Sequence, residues 1–103
     1  MQAQLLSTPV ADLVANNAVQ LYELSVLHLT YARAALEAVK AGDPAAGEGR
    51  GSAAHAHHSA EASLAIDSFG AILDAAGDRL GPAGEQLREI LTQLRLAYVQ
   101  TAS

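Results

Sequence analysis

The chain has 103 residues, of which half are hydrophobic but only 4% are aromatic. This length suits one domain and is too short for two, and an apolar content made mainly of Ala, Leu and Val favours closely packed helices over sheets. The formal net charge is -5, so neither nucleic acid nor an anionic membrane is expected as a direct partner. The absence of cysteine excludes disulfides, zinc–thiolate sites and thiol nucleophiles.

The first predicted helix begins at Thr8-Pro9, where the threonine can cap free amides and the proline suits the first turn. One apolar stripe along it contains Val10, Leu13, Val14, Leu21, Leu24, Leu27, His28 and Tyr31, and a second contains Val19, Tyr22, Val26 and Leu29. Because two sides of this helix are apolar, we expect it to lie centrally in a bundle or to be shared with another subunit. Gly42-Asp43-Pro44 ends it.

Residues 42–58 (GDPAAGEGRGSAAHAHH) have the composition of a flexible linker. The stretch is rich in Gly and Ala and has no large apolar side chain that could anchor it. We therefore expect it to be mobile and exposed, inside a single helical domain that covers residues 1–103.

Two further helices are predicted after the linker. The second starts near Ser59 with an apolar stripe of Ile66, Phe69, Leu73, Ala76 and Leu80, and the third has Leu87, Ile90, Leu91, Leu94, Ala97 and Tyr98 on one face. Gly81-Pro82 indicates a sharp turn, with Pro82 opening the third helix. Since a short turn brings consecutive helices together as an antiparallel hairpin, the sequence predicts an all-α, three-helix domain.

Helices one and three carry more apolar surface than one helix pair requires. The expected interaction surface consists of Val19, Tyr22, Val26, Leu29, Leu96 and Val99. We interpret the chain as a non-catalytic protein–protein interaction module that associates through this surface. The simplest form is a twofold homodimer that completes a helical bundle, and an unidentified protein is the other expected partner.

Three segments of the sequence carry a family resemblance. They are Thr8–Leu13 leading into Leu21–Leu24, then Ala62–Asp67 (ASLAID), and finally Leu94–Val99 (LRLAYV). In order and chemistry they resemble a small bacterial family catalogued as domain of unknown function 1844. The resemblance implies an intracellular helical domain without an established activity, and a translation- or ribosome-linked adaptor is the role that it suggests. Residues 30–60 are longer than the matching segment of that family, which implies that the His-rich part is peripheral.

His55, His57 and His58 form the candidate metal site. Two imidazoles at these spacings can reach one divalent ion, and histidine is a common ligand of zinc, copper and nickel. Their neighbours are small residues of the predicted linker, and no HExxH pattern is present. The sequence therefore favours a solvated polar loop at these residues, and no cofactor is expected. The alternative is that the three histidines belong to a metal-responsive or small-ligand-binding protein.

Glu23, Asp67 and Arg95 are charged residues within apolar helices. Such residues often lie at the surface with their aliphatic stems along the core. The alternative is that Arg95 pairs with one of the two carboxylates across the bundle and sets its register.

No motif places a nucleophile beside a base, so catalysis is not expected. The longest apolar stretch is too short to cross a bilayer, and residues 1–9 lack the pattern of a secretory signal. A cytoplasmic location is therefore expected.

Overall fold

The computed structural model describes residues 6–7, 9–42 and 49–102. Helix α1 spans Val10–Lys40, α2 spans Arg50–Ala76 and α3 spans Pro82–Ala102, and a 3-10 turn at Gly77–Leu80 joins α2 to α3. The described residues contain no strand. The predicted all-α, three-helix fold is therefore confirmed.

Both ends of α1 lie close to their predicted positions. Pro9 immediately precedes the helix, and its carbonyl oxygen accepts hydrogen bonds from the amides of Asp12 and Leu13. The Asp12 carboxylate in the first turn is favourably placed for the helix dipole. The predicted cap at Thr8 lies outside the described residues. At the other end, Gly42 adopts a left-handed conformation with φ of 69°, which suits a residue just past a helix.

The predicted linker is wrong for Arg50–His58, which forms the first turns of α2. The absence of large apolar side chains led to that prediction, but alanine is the strongest helix former and does not need them. The helix follows Gly49, whose φ of 89° is accessible to glycine at little cost. Residues 43–48, the rest of the predicted linker, lie outside the described part of the chain.

A line of small side chains forms the inner face of α1. Ala18, Ser25 and Ala32 are completely buried and lie seven residues apart. Seven residues make about two helical turns, so the three side chains lie above one another. Their size allows α1 to approach the other helices closely. The Ser25 hydroxyl donates a hydrogen bond of 2.7 Å to the Leu21 carbonyl oxygen, which satisfies a buried polar group.

The centre of the core lies on α2. Its Phe69 and Leu73 are the largest side chains that are fully buried. The core as a whole consists of Ala18, Leu29, Ala62, Ile66, Phe69, Leu73, Leu87, Leu91 and Leu94. Of the two expectations for helix one, a central position is not met, because the apolar stripes of α1 flank its buried line and are largely exposed. The alternative, that this helix is shared with another subunit, stays a prediction.

Helices α2 and α3 form the predicted antiparallel hairpin, and Pro82 opens α3. At the turn their backbones approach so closely that a Cβ atom on Gly84 would overlap the carbonyl oxygen of Gly77. Farther along, Gly70 of α2 lies beside Leu91, so residue numbers fall on one helix as they rise on the other.

The molecule is elongated and flat, with extents of 55 × 31 × 14 Å. Its radius of gyration is 17.0 Å, compared with about 13 Å for a compact domain of this length. Its accessible surface is 6973 Å², compared with about 5,500 Å² for a compact protein of its mass. One copy of the chain therefore leaves much more surface exposed than a compact fold would.

Candidate functional site: an apolar groove between α1 and α3

Two adjoining hollows lie between α1 and α3. One is lined by Val26, Leu29, Thr30, Arg33, Leu94, Ala97 and Thr101, and the other by Tyr22, Val26, Ile90, Gln93, Leu94 and Ala97. Because they share Val26, Leu94 and Ala97, the two hollows form one continuous feature. We call it the α1–α3 groove.

The lining of the groove suits apolar side chains. Its two hollows have volumes of about 280 and about 210 Å³. Arg33 is the charged residue of a lining that is otherwise aliphatic, aromatic or neutral polar. Hollows of this size and chemistry can receive side chains from a helix laid along them.

The predicted interaction residues of α1 lie at the groove or beside it. Tyr22 and Val26 line it, and Val26 is 40% exposed. Val19, which is 41% exposed, precedes Tyr22 by three residues and so lies on the same side of α1. Leu29 was predicted as part of a free surface, but it is only 7% exposed and belongs to the core. It forms the floor of the groove.

The predicted interaction residues of α3 do not line the groove. Leu96 and Val99 are 59% and 60% exposed, but α3 contributes Ile90, Leu94 and Ala97 to the lining instead. Successive residues turn by 100° around a helix, so Leu96 projects about 200° away from Leu94. The six predicted residues therefore do not form one continuous surface.

Ile90 and Ala97 belong to the predicted core face of helix three, whereas no sequence pattern indicated Arg33, Gln93 or Thr101 as lining residues. The structure shows that Ile90 and Ala97 are half-buried at the edge of the core. A signal was present, because Ile90, Leu94 and Ala97 recur at spacings of four and three. The packing of α1 against α3 decides which residues of that wide stripe remain partly exposed.

A second apolar surface lies on the opposite side of α1. It consists of the exposed side chains of Leu24, Leu27 and Tyr31 together with Leu64 of α2. A hollow lined partly by Leu24, His28, Glu61 and Leu64 lies within it. We call this surface the α1–α2 patch. Both apolar stripes predicted for helix one are thus present on its two sides.

A cluster of imidazole rings joins α1 to α2. The Nδ1 atoms of His28 and His58 lie 2.9 Å apart, so one ring donates a hydrogen bond and the other accepts it. The His57 ring lies 5.1 Å from that of His58 and 6.3 Å from that of His28, between ring centroids. Tyr31 stacks on His58 at 5.4 Å. We call His28, His57 and His58 the histidine cluster.

The predicted metal-binding set of His55, His57 and His58 is not assembled. His55 uses Nδ1–H to donate a hydrogen bond of 2.9 Å to the Ala32 carbonyl oxygen. The physical reason is that these residues are helical, so His55 and His57 point about 200° apart. No group of three or more His, Asp or Glu residues in the described ranges is arranged to hold a metal ion.

The surroundings of His58 favour its neutral form. Desolvation by burial lowers the pKa of His58 below its ordinary value of 6.5, and the nearby charges of His28 and His57 lower it further. The negative charge of Glu61 raises the pKa of His58 and so opposes these effects. A neutral imidazole can accept the hydrogen bond that joins His58 to His28.

The surface placement expected for Glu23, Asp67 and Arg95 agrees with the structure, and the alternative, an ion pair of Arg95 with Glu23 or Asp67, is not formed. All three side chains are exposed, and no salt bridge joins any two of them. The Arg95 guanidinium instead lies over Gly70, where a Cβ atom would come within 2.8 Å of Nη2. Apolar residues and small residues occupy the buried positions of all three helices, so the charges are left at the surface.

The described residues contain a salt bridge that no sequence pattern predicted. Arg88 and Asp78 are joined at 2.9 Å, and both side chains are exposed. A pair in this environment contributes little to stability. It lies where the 3-10 turn meets α3, away from the α1–α3 groove.

Comparisons with protein families, curated proteins and solved structures find no match to this chain. The resemblance to domain of unknown function 1844 therefore stays a prediction. None of the described helices is both long enough and apolar enough to cross a bilayer.

Proposed function

We propose that this protein is a non-catalytic helix-association module that binds a second copy of itself through the α1–α3 groove. The observation that carries the proposal is the groove itself, in which apolar side chains from two helices are left partly uncovered. Val26, at its centre, is 40% exposed. Burying apolar surface of this kind is the main driving force for protein association.

The shape of the chain supports a second copy as the occupant. The accessible surface of 6973 Å² exceeds that of a compact protein of this mass by about 1,500 Å². A standard interface needs about 800 Å² from each partner. The surplus is therefore larger than the area that one partner contributes to a standard interface.

The arrangement of residues on α1 also suits a twofold interface. Val19, Tyr22 and Val26 follow one another at spacings of three and four along the edge of the groove. In an interface with twofold symmetry the same patch meets itself, so this stripe on one copy would enter the groove of the other. None of the three residues carries a charge.

The experiment measures mass in solution. Light scattering at tens of micromolar should give twice the chain mass of 10.6 kDa. A Val19→Glu, Val26→Glu double variant should give the single mass with unchanged helical circular dichroism, because the interface would bury unpaired carboxylates. Leu96→Glu is the matched control, since Leu96 is at least as exposed but lies outside the groove.

A monomeric parent protein would overturn the proposal, and so would a double variant that stays dimeric. Dissociation by Leu96→Glu alone would move the interface to the outer side of α3. If the monomeric parent co-sediments with ribosomal subunits, the adaptor role implied by the family resemblance would replace self-association.

A further inference from the structure

The N-terminal part of α2, Arg50–Glu61, is held differently from the rest of the helix. No residue of this segment belongs to the hydrophobic core, whose α2 members begin at Ala62. Most of its side chains are Ala, Ser or His. Two hydrogen bonds fasten it to α1: His55 donates to the Ala32 carbonyl oxygen, and the His58 ring bonds to the His28 ring.

These two hydrogen bonds respond differently to protons. His55 donates through Nδ1–H, so the bond to Ala32 is available whether the ring is neutral or charged. The bond between His28 and His58 requires a nitrogen without a proton on one of the rings. When both rings are charged, two N–H groups and two positive charges face each other at a separation of 2.9 Å.

The groups around this contact come from both helices. From α1, Tyr31 stacks on His58 beside His28. From α2, the rings of His57 and His58 approach each other to 5.1 Å, and Glu61 also acts on His58. The charged groups that act on His58 lie on α1 and α2, and among the described residues α3 supplies none.

We propose that the His28–His58 contact is a proton-sensitive clasp, whose opening on mild acidification weakens the attachment of the N-terminal part of α2 to α1, so that this part separates from α1 more readily. Release would separate His28 from Glu61, two residues that line the hollow of the α1–α2 patch from opposite helices. The hollow would then widen and expose more of the apolar side chains around it. This inference is independent of the α1–α3 groove, which lies on the other side of α1.

The direction of the pH dependence follows from the surroundings of His58. Burial, then His28 and His57, lower the pKa of His58 in the clasped form, so the clasped ring binds a proton more weakly than a released one. The clasp therefore contributes its full stability above the ordinary histidine pKa of about 6.5. That contribution is lost as the pH falls through the lower pKa of the clasped form.

The test measures the distance between the two helices. Spin labels are attached to cysteines introduced at exposed sites, Glu37→Cys on α1 and Ser52→Cys on α2, in a chain that has no cysteine of its own. Pulsed electron resonance is recorded at pH 7.5 and pH 5.0 with EDTA, after dilution with unlabelled protein so that each distance is within one chain. We expect a longer and broader distance distribution at pH 5.0.

Two variants decide whether the histidine pair is responsible. His28→Gln in the labelled chain should give the same distance at both pH values, because glutamine can accept a hydrogen bond from His58 and does not titrate. His55→Gln should keep the pH response. A distance that does not change with pH in the labelled parent would overturn the proposal, and so would an equal change in His28→Gln.

A second label pair separates release from general unfolding. Ala75→Cys and Gln86→Cys lie on α2 and α3 near their connecting turn, at exposed positions. This distance should be the same at pH 7.5 and pH 5.0. An equal lengthening of both pairs would mean that the whole fold opens in acid, which would also overturn the clasp.

Discussion

The two parts of α2 are held against the rest of the fold by different interactions. From Ala62 to Ala76 the helix contributes Phe69 and Leu73, which are fully buried, to the hydrophobic core. From Arg50 to Glu61 it contributes small side chains and imidazoles. One continuous helix therefore combines a part fixed by large apolar side chains with a part that meets α1 through small residues and a few hydrogen bonds.

The difference shows that a helix does not need uniform tertiary support along its length. Alanine-rich sequence has a high helix propensity by itself, and helix formation propagates easily from a turn that is already formed. The packed part can thus nucleate the lightly packed part. The cost is a lower free energy of local opening where packing is light.

The largest effect should come from a cavity in the packed part. Phe69→Ala removes the side chain at the centre of the core and should lower the free energy of unfolding by about 3–5 kcal/mol in urea at pH 7.5. Leu64→Ala, which changes a 64% exposed residue of the same helix, should stay within about 0.5 kcal/mol of the parent. Equal losses of unfolding free energy in Phe69→Ala and Leu64→Ala would show that the core side of α2 is no more important to stability than its exposed side.

The next largest effect should come from the turn that closes the packed part. Gly84→Ala introduces a Cβ atom that would overlap the Gly77 carbonyl oxygen, so we expect a loss of about 1–3 kcal/mol. Ala83→Ser, at the neighbouring exposed position, serves as the control. A Gly84→Ala protein with the urea midpoint of the parent would show that the two backbones can move apart freely.

A smaller and local effect is expected in the lightly packed part. Ala53→Gly with Ala56→Gly should cost about 1 kcal/mol of helix propensity at each site. Hydrogen exchange at pH 7.5 should become faster throughout Arg50–Glu61, while the urea midpoint moves little because this part can open without the core. A midpoint shift as large as that of Phe69→Ala would show that α2 unfolds as one unit.

The smallest effect should come from the salt bridge at the turn. Asp78→Asn removes the exposed pair with Arg88 and should change the free energy of unfolding by about 0.2–1 kcal/mol. High salt should weaken the pair in the parent protein by screening. A larger loss would mean that charge, in addition to packing, fastens this end of the hairpin.

The apolar periodicity of the sequence was sufficient to predict the packed part of the fold. Phe69, Leu73 and Leu91 repeat at helical spacings within their stripes, and Gly81-Pro82 separates two such stripes. The start of α2 could not be found in this way, because Ala, Gly, Ser and His between residues 50 and 58 form no apolar stripe. Helix propensity and contacts with α1 decide the structure there.

The site was less predictable than the fold. Exposed apolar residues on α1, such as Val26, follow from a stripe that one helix pair cannot cover. The side of α3 that faces α1 depends on how the helices pack, and this is why Leu96 was wrongly assigned to the same surface. The approach of His28 to His58 likewise depends on the register of two helices that are distant in sequence. Self-association and the family resemblance stay predictions.

The small side chains at Ala18, Ser25 and Ala32 restrict how the protein can adapt. A larger side chain at any of the three positions would push α1 away from the neighbouring helices. We therefore expect only small residues to be tolerated there. The orientation of α1 is therefore fixed by this line, and the apolar side chains on its two sides stay exposed to solvent or to a partner.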